Sequence, residues 1–348
     1  MSSPNCDRAP RTSIELPRPY LLFLGDITEA SYAKTAFGLR DWSPQLCVGE
    51  TALPEATVTT GLPRLTPSEA RLRGARSMVI GIANRGGVIT PNWIPTLREA
   101  LEAGLDVISG MHARLAQQAD LEQVARRHGR RLIDVRQPPP DIPIGTGDKR
   151  SGKRLLTVGT DCALGKKYTA LALARAFKER GVAADFRATG QTGILIAGSG
   201  IPVDAVVADF VAGAAEMLSP AAAQDHWDVV EGQGSLYHPS YAGVSLGLLH
   251  GTQPDVIVLC HEWGREAMVG LEHFPIPDLA EAIDLNLRLA RRTNPHVRCA
   301  GISLNTSRLD EKQARAALAE LGAKLRLPVA DPMRSGAELE RLVDACLA

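Results

Sequence analysis

Residues 154–169, Arg154-Leu-Leu-Thr-Val-Gly-Thr-Asp-Cys-Ala-Leu-Gly-Lys-Lys-Tyr-Thr169, set an apolar strand directly before a glycine-bounded loop and a lysine, and a helix-forming stretch follows to Gly181. A strand ending near Val158 hands over to a loop whose backbone N–H groups point inward, then to the positive end of a helix, and Lys166 adds a full charge there. This order predicts a phosphate cradle made of Gly159, Thr160, Asp161, Cys162, Gly165, Lys166 and Lys167. It departs from the common phosphate-loop pattern in two ways: five residues rather than four separate Gly159 from Gly165, and Lys167 stands where a Ser or Thr would hold magnesium. Thr169 is the nearest hydroxyl downstream. A solvated helix terminus would show the same glycine–lysine pair, but the flanking strand, the helix and a later acidic segment favour the phosphate site.

That acidic segment is Trp227-Asp-Val-Val-Glu-Gly-Gln-Gly234, a second strand that ends in a carboxylate among glycines. In open α/β sheets ligands gather at the carboxyl ends of strands, so Glu231 is expected beside the loop if the two strands are parallel neighbours. Ala188-Thr-Gly-Gln-Thr-Gly193 also follows a strand, and Thr189, Gln191 and Thr192 offer neutral hydrogen bonds to an oxygen-rich ligand.

Lys plus Arg and Asp plus Glu both number 39, which gives no electrostatic reason to expect nucleic acid or an anionic membrane. Met1–Pro19 is polar with no apolar core of signal-peptide length, and no later run approaches a membrane span, so a cytoplasmic protein is expected. The cysteines at 6, 47, 162, 260, 299 and 346 lack paired spacing and read as reduced thiols. Cys162, in the loop, reads as a small residue in a tight turn, with an acyl-accepting thiolate as the sharper alternative. The adjacent Cys260-His261-Glu262 lacks convergent spacing, and no metal site is expected.

The stretch from Gln137 to Gly152 is rich in proline, glycine and charge. It divides the chain into a first domain over 1–140, a linker over 141–152 and a second domain over 153–348. In the first, strands at 20–24, 78–80, 105–108 and 131–135 alternate with helices over 93–103, ending at Gly104, and over 121–128, starting after Asp120 and ending at Gly129. A parallel, Rossmann-like α/β layer is predicted. No G-x-G-x-x-G follows the first strand, so a dinucleotide is disfavoured there and a scaffold or substrate-side role preferred. Lys34, Gly38, Arg40 and the run Asn84-Arg-Gly-Gly87 are possible anion contacts, or a solvated face and a turn. In the second domain strands are expected at 182–188, 229–230, 256–259 and 301–304, with helices over 170–180, 280–292, 310–321 and 337–347.

Gly159-Thr-Asp161, Gly165-Lys166 and Val230-Glu-Gly-Gln-Gly234 resemble dethiobiotin synthetase and its P-loop relatives. A closer resemblance, from Tyr20 to Leu347, is carried by Leu24-Gly-Asp26, Ala33-Lys-Thr-Ala36, Gly159-Thr-Asp-Cys-Ala163, Ala188-Thr-Gly-Gln-Thr-Gly-Ile194, Ile196-Ala-Gly-Ser-Gly200, Val206-Val-Ala-Asp-Phe210 and Val230-Glu-Gly-Gln-Gly-Ser235. By these segments the chain is similar to a two-domain bacterial and archaeal family of formerly unknown function that includes D-glutamate N-acetyltransferase. The resemblance implies a Rossmann-like domain joined to a P-loop NTPase-like domain, and acetyl transfer from acetyl-CoA to the amine of D-glutamate.

Lys167 bears on the donor. An NTP-hydrolysing loop needs a hydroxyl beside its lysine to hold the metal, whereas coenzyme A has a pyrophosphate but no γ-phosphoryl to transfer. Adjacent lysines suit the latter, although Thr169 keeps ATP with magnesium open. The expected reaction has a base take the amine proton before attack on the thioester. Glu231 is the first candidate, with Asp209 and His238 as alternates; their plain readings are a turn, a helix cap and a surface histidine. The substrate's carboxylates call for a cation, and Arg187, Arg265 and Lys34 are available. Asn305, after a later strand, sits where P-loop relatives recognise a base. The rivals are a magnesium-ATP-dependent ligase or kinase and a nucleotide sensor without turnover. A homo-oligomer acting on an acidic amino acid is expected.

Overall fold

The computed structural model describes residues 14–348. Cys6 and the first part of the polar N-terminal stretch lie outside the described residues, as does the side chain of Arg85.

One unit consists of residues 14–137 together with Gln191–Pro202. It runs β1 (Tyr20–Phe23), α1 (Lys34–Trp42), β2 (Cys47–Thr51), α2 (Pro67–Leu72), β3 (Ser77–Ile80), α3 (Ile94–Glu102), β4 (Asp106–Ser109), α4 (Ala119–His128) and β5 (Leu132–Asp134). The strands form one parallel sheet in the order β2-β1-β3-β4-β5. Every residue of β1, β3 and β4 is buried, as expected where helices cover both faces of a parallel sheet. Four of these strands coincide with the expected segments. Strand β2 was not expected; it is a polar edge segment whose buried Glu50 is satisfied by the Thr60 amide at 2.6 Å and the Thr59 hydroxyl at 2.6 Å. Helix α2, also unexpected, is initiated by a Thr66–Glu69 capping box. Helix α4 begins before the predicted cap, at Ala119 rather than after Asp120, and ends on Gly129 in the left-handed region at φ 60°.

The helix Gln191–Ala197 also belongs to this unit. Thr192 Oγ1 lies 3.1 Å from Thr35 Oγ1 on α1, and Arg18 Nη2 donates to the carbonyls of Leu195 (3.1 Å) and Ile196 (3.3 Å). Ile194 and Leu195 are fully buried.

The other unit comprises Pro138–Gly190 and Val203–Ala348. In chain order its elements are β6 (Lys153–Gly159), α5 (Lys166–Glu179), β7 (Ala184–Arg187), then, beyond the α6 segment Gln191–Ala197 just described, α7 (Val211–Leu218), β8 (Trp227–Val230), α8 (Ala242–Thr252), β9 (Val256–Glu262), the short strands β10 (Ala267–Met268) and β11 (Leu271–Pro275), α9 (Leu279–Ala290), β12 (Arg298–Asn305), α10 (Glu311–Leu325), β13 (Val329–Ala330) and α11 (Ala337–Leu347). The main sheet is parallel throughout, in the order β13-β12-β9-β6-β8-β7. Strands β10 and β11 pair separately as an antiparallel hairpin.

The chain leaves central β6 for the edge strand β7, returns to β8, and then crosses β6 to reach β9. The order of strands therefore reverses beside β6, where ligand crevices form in such sheets. Leu155, Leu173, Phe177, Trp227, Val229 and Val258 share one buried core, in which the Phe177 and Trp227 rings meet edge to face at 5.4 Å. Both sheets agree with the predicted α/β class. Two boundaries differ in ways that matter for the site. Helix α5 starts at Lys166 rather than Ala170, because the lysine pair forms its first turn, and β9 runs on from Leu259 to Glu262, since burial at the carboxyl edge accommodates Cys260, His261 and Glu262 in the strand.

Candidate active site

The carboxyl ends of β6, β8, β9 and β12 bring Gly159, Glu231, Glu262 and Asn305 to one edge of the second unit's sheet. Between β6 and α5 the chain makes a tight loop with Ala163 at φ 55° and Gly165 at φ 107°. Gly165 immediately precedes the helix, so the loop meets the positive end of α5. Lys166 is only 7% exposed and folds back over the loop, its Nζ donating to the Asp161 carbonyl at 2.6 Å. Burial pushes its pKa down, opposed by the charges of Cys162, Cys260 and Asp161.

The loop is pinned from several sides. Thr160 Oγ1 lies 3.0 Å from His261 Nδ1, and burial holds the His261 imidazole at a pKa of about 4, hence neutral. Arg265 Nη1 donates both to Asp161 Oδ2 and to the Cys162 carbonyl, each at 2.8 Å, while its other arm pairs with Glu262. Thr157 Oγ1 donates to the Lys166 carbonyl at 3.2 Å and accepts from the Gly232 amide at 2.9 Å. Gly232 has no room for a side chain: a Cβ would stand 1.6 Å from the Thr157 carbonyl oxygen.

Glu231 sits at the end of β8 with 5% exposure. Its Oε2 accepts from the amides of Thr189 (3.0 Å) and Gly190 (3.2 Å). Burial raises its pKa from 4.5 to about 7, against the lowering effects of Lys167 and those two amides. Thr189 is consumed locally, donating to the Glu231 carbonyl at 2.7 Å and accepting from Gln233 Nε2 at 2.9 Å.

The other expected site residues fall in varied places. His238, foreseen as a base or a surface histidine, is buried at 3% exposure; its ring stacks on Tyr241 at 4.4 Å and its Nδ1 accepts from the Ser240 amide at 3.2 Å. Asp209 is exposed on a short turn ahead of α7. The Thr169 hydroxyl is held within the fold, donating to the Gly165 carbonyl at 3.1 Å and lying 2.7 Å from Ser303 Oγ. Lys167 Nζ lies 5.1 Å from the centre of the Tyr168 ring. Asn305 Oδ1 accepts from the Ser307 amide at 3.0 Å. The Arg187 guanidinium, expected to meet a substrate carboxylate, is held by Asp228 (2.7 Å) and Asp185 (3.5 Å). Arg265, foreseen in the same role, clamps the loop instead. Gln191, Thr192 and Lys34 belong to the first unit, where Gln191 and Thr192 bond to Thr35 and Lys34 is exposed at the start of α1. Thr157 and Gln233 escaped the sequence reading, although Gln233 lies within the glycine-rich turn that flagged Glu231.

A parallel sheet with a glycine–lysine loop at its central strand, a neighbouring carboxylate at the next strand's end and a separate Rossmann-like unit defines a two-domain P-loop protein. The chain belongs to the DUF1611 family: residues 143–343 match its P-loop domain and 47–138 its Rossmann-like N-terminal domain, both described as domains of unknown function. A crystal structure of a DUF1611 family protein from Anabaena variabilis superposes with a TM-score of 0.85 at 34% identity, covering 94% of this chain and 99% of that one. Two curated relatives are each named D-glutamate N-acetyltransferase. That from Tritonibacter scottomollicae is 51% identical over 95% of this chain and 98% of its own length, and that from a Pseudoalteromonas species 48% over 93% and 98%. No helix among the described residues is long and apolar enough to cross a membrane.

Proposed function

We propose that this protein is a D-glutamate N-acetyltransferase that moves the acetyl group of acetyl-CoA to the amine of D-glutamate. The curated relatives supply the substrate and the reaction; the chemistry rests on one observation, the buried Glu231 carboxyl with its pKa raised to about 7. A carboxylate with an ordinary pKa is too weak a base for an ammonium group, and moving it toward neutrality improves proton transfer at working pH. In this reading Glu231 takes the proton from the D-glutamate ammonium. The freed amine attacks the thioester carbonyl, backbone amides stabilise the oxyanion, and the carbon–sulfur bond breaks to release the CoA thiolate, which is protonated in turn.

The loop amides, the positive end of α5 and Lys166 bind the anionic part of the donor, and Lys167 adds charge where a magnesium-holding hydroxyl would otherwise stand. The orientation of Thr169 supports an acyl donor over ATP, since its hydroxyl is already bonded to Gly165 and Ser303. The cysteines among the described residues form no disulfide with one another, which supports a reducing, cytoplasmic setting. A homo-oligomer is part of the same proposal.

The test is incubation of the purified protein with acetyl-CoA and either D- or L-glutamate, without magnesium or ATP, following thiol release and the mass of the product. Thiol release with D-glutamate, a product heavier by one acetyl group, and loss of both in Lys166→Ala is the expected result. Silence there, with ADP formed once magnesium-ATP is supplied, would replace the proposal with an ATP-dependent ligase.

A further inference from the structure

Asp161 is fully buried, yet only half of its carboxylate is satisfied. Oδ2 accepts from Arg265 Nη1 at 2.8 Å and from the Val269 amide at 3.0 Å, whereas Oδ1, equally buried, has no hydrogen-bond partner. Buried carboxylate oxygens are normally hydrogen-bonded or coordinated to a cation. Two further donor groups converge on this residue. One ligand atom each from Asp161, Cys162 and His238 lies within 4.8 Å of the others, although His238 stands far along the chain, in the turn between β8 and α8.

We infer that Asp161, Cys162 and His238 form a zinc site on the phosphate loop. A carboxylate oxygen, a thiolate sulfur and an imidazole nitrogen are borderline-soft donors that suit Zn²⁺, whereas magnesium demands an octahedron of oxygens. Three protein ligands leave the fourth tetrahedral position open, as in zinc sites that bind an exchangeable ligand. Cys162 is half-buried while its two companions are enclosed, so the sulfur is the donor of the three with most access to solvent. The ion would join the loop to the β8–α8 turn, and would add positive charge to the cradle.

Two features oppose binding. The ion's charge is resisted by Lys166 and Arg265, and offset by Asp161, the Cys162 thiolate and Glu262. The Ser240 amide reaches His238 Nδ1 at 3.2 Å, and coordination through either ring nitrogen displaces that contact, since a ring bound through Nε2 carries its proton on Nδ1. The other convergent grouping among the described residues, Asp185, His226 and Asp228, differs in the decisive respect. Arg187 already occupies it, and no oxygen of Asp185 or Asp228 is both buried and without a hydrogen-bond partner.

The inference is independent of the acetyl-transfer reading and is tested without substrate. The full-length protein is stripped with a chelator, exposed to zinc or magnesium chloride, desalted, and its metal content measured by mass spectrometry. One zinc per chain should be retained and no magnesium. Cys162→Ser and His238→Gln should each lower zinc retention by more than about tenfold, the scale seen when metal sites lose supporting groups. Cobalt loading of the wild type should give a thiolate-to-cobalt absorption band, absent in Cys162→Ser, so the site can be read even if one variant folds poorly. Zinc retained only at trace level by the wild type, or held equally by both variants, or cobalt bound without the sulfur band, would overturn the site. Acetyl transfer, assayed separately, can succeed or fail whichever way the metal result falls.

Discussion

Replacing Glu231 by Gln should separate what this residue does for the reaction from what it does to stability. The variant keeps an oxygen to accept from the Thr189 and Gly190 amides but carries no charge. The carboxyl's pKa is 4.5 in the unfolded chain and about 7 in the folded protein. Below pH 4.5 both states hold the proton and nothing is lost. As pH rises from 4.5 to 7 the unfolded chain ionises first, so stability falls across that window and levels off above it. With about 1.36 kcal/mol for each pKa unit, the loss is about 3 kcal/mol. Glu231→Gln should therefore match the wild type near pH 4.5 and exceed it by about 3 kcal/mol at pH 8, in urea unfolding at each pH. The same variant should lose acetyl transfer by about 10²-fold or more, since it removes the proposed base. An unchanged pH dependence of stability in the variant, or a variant less stable than the wild type at pH 8, would refute the account of a carboxylate strained by burial.

Further outcomes follow from the loop. Arg265→Met strips a fully buried Asp161 of its ion-pair partner and should destabilise the protein by about 3–5 kcal/mol in thermal unfolding monitored by calorimetry. Gly232→Ala drives a methyl group to within 1.6 Å of the Thr157 carbonyl, so β6 and β8 must part; soluble yield should collapse, and a soluble variant should melt well below the wild type. Arg187→Met leaves the buried Asp228 short of a partner, and should lower stability by about 1–3 kcal/mol while leaving the KM for the amino acid within about twofold; a large rise in KM with unchanged stability would return Arg187 to the substrate.

The phosphate loop was legible because strand, glycines and lysine are consecutive in the chain, and local order alone dictates their geometry. Glu231 was legible for a similar reason, as a polar residue ending an apolar strand. What sequence could not supply was the direction of side chains whose partners are distant. Arg265 and Arg187 are alike as cations, and only the fold turns one onto Asp161 and the other onto Asp228. His238 reads as a surface residue after a glycine turn because nothing near it signals the cover that buries it. Strand β2 and helix α6 were missed because edge strands and short helices carry little periodicity, and their apolar residues find partners only in tertiary packing.

The membership of Gln191–Pro202 in the first unit bears on how the chain comes off the ribosome. Strand β5 ends at Asp134, yet the helix that buries Ile194 and Leu195 in that unit is made only after β6, α5 and β7. The N-terminal unit stays one segment short while the first strands of its neighbour emerge, so it cannot complete its native packing before part of the second domain has been made. Cutting at the proline-rich stretch would likewise yield two incomplete fragments, one missing a helix and the other carrying an apolar helix with nothing to cover it.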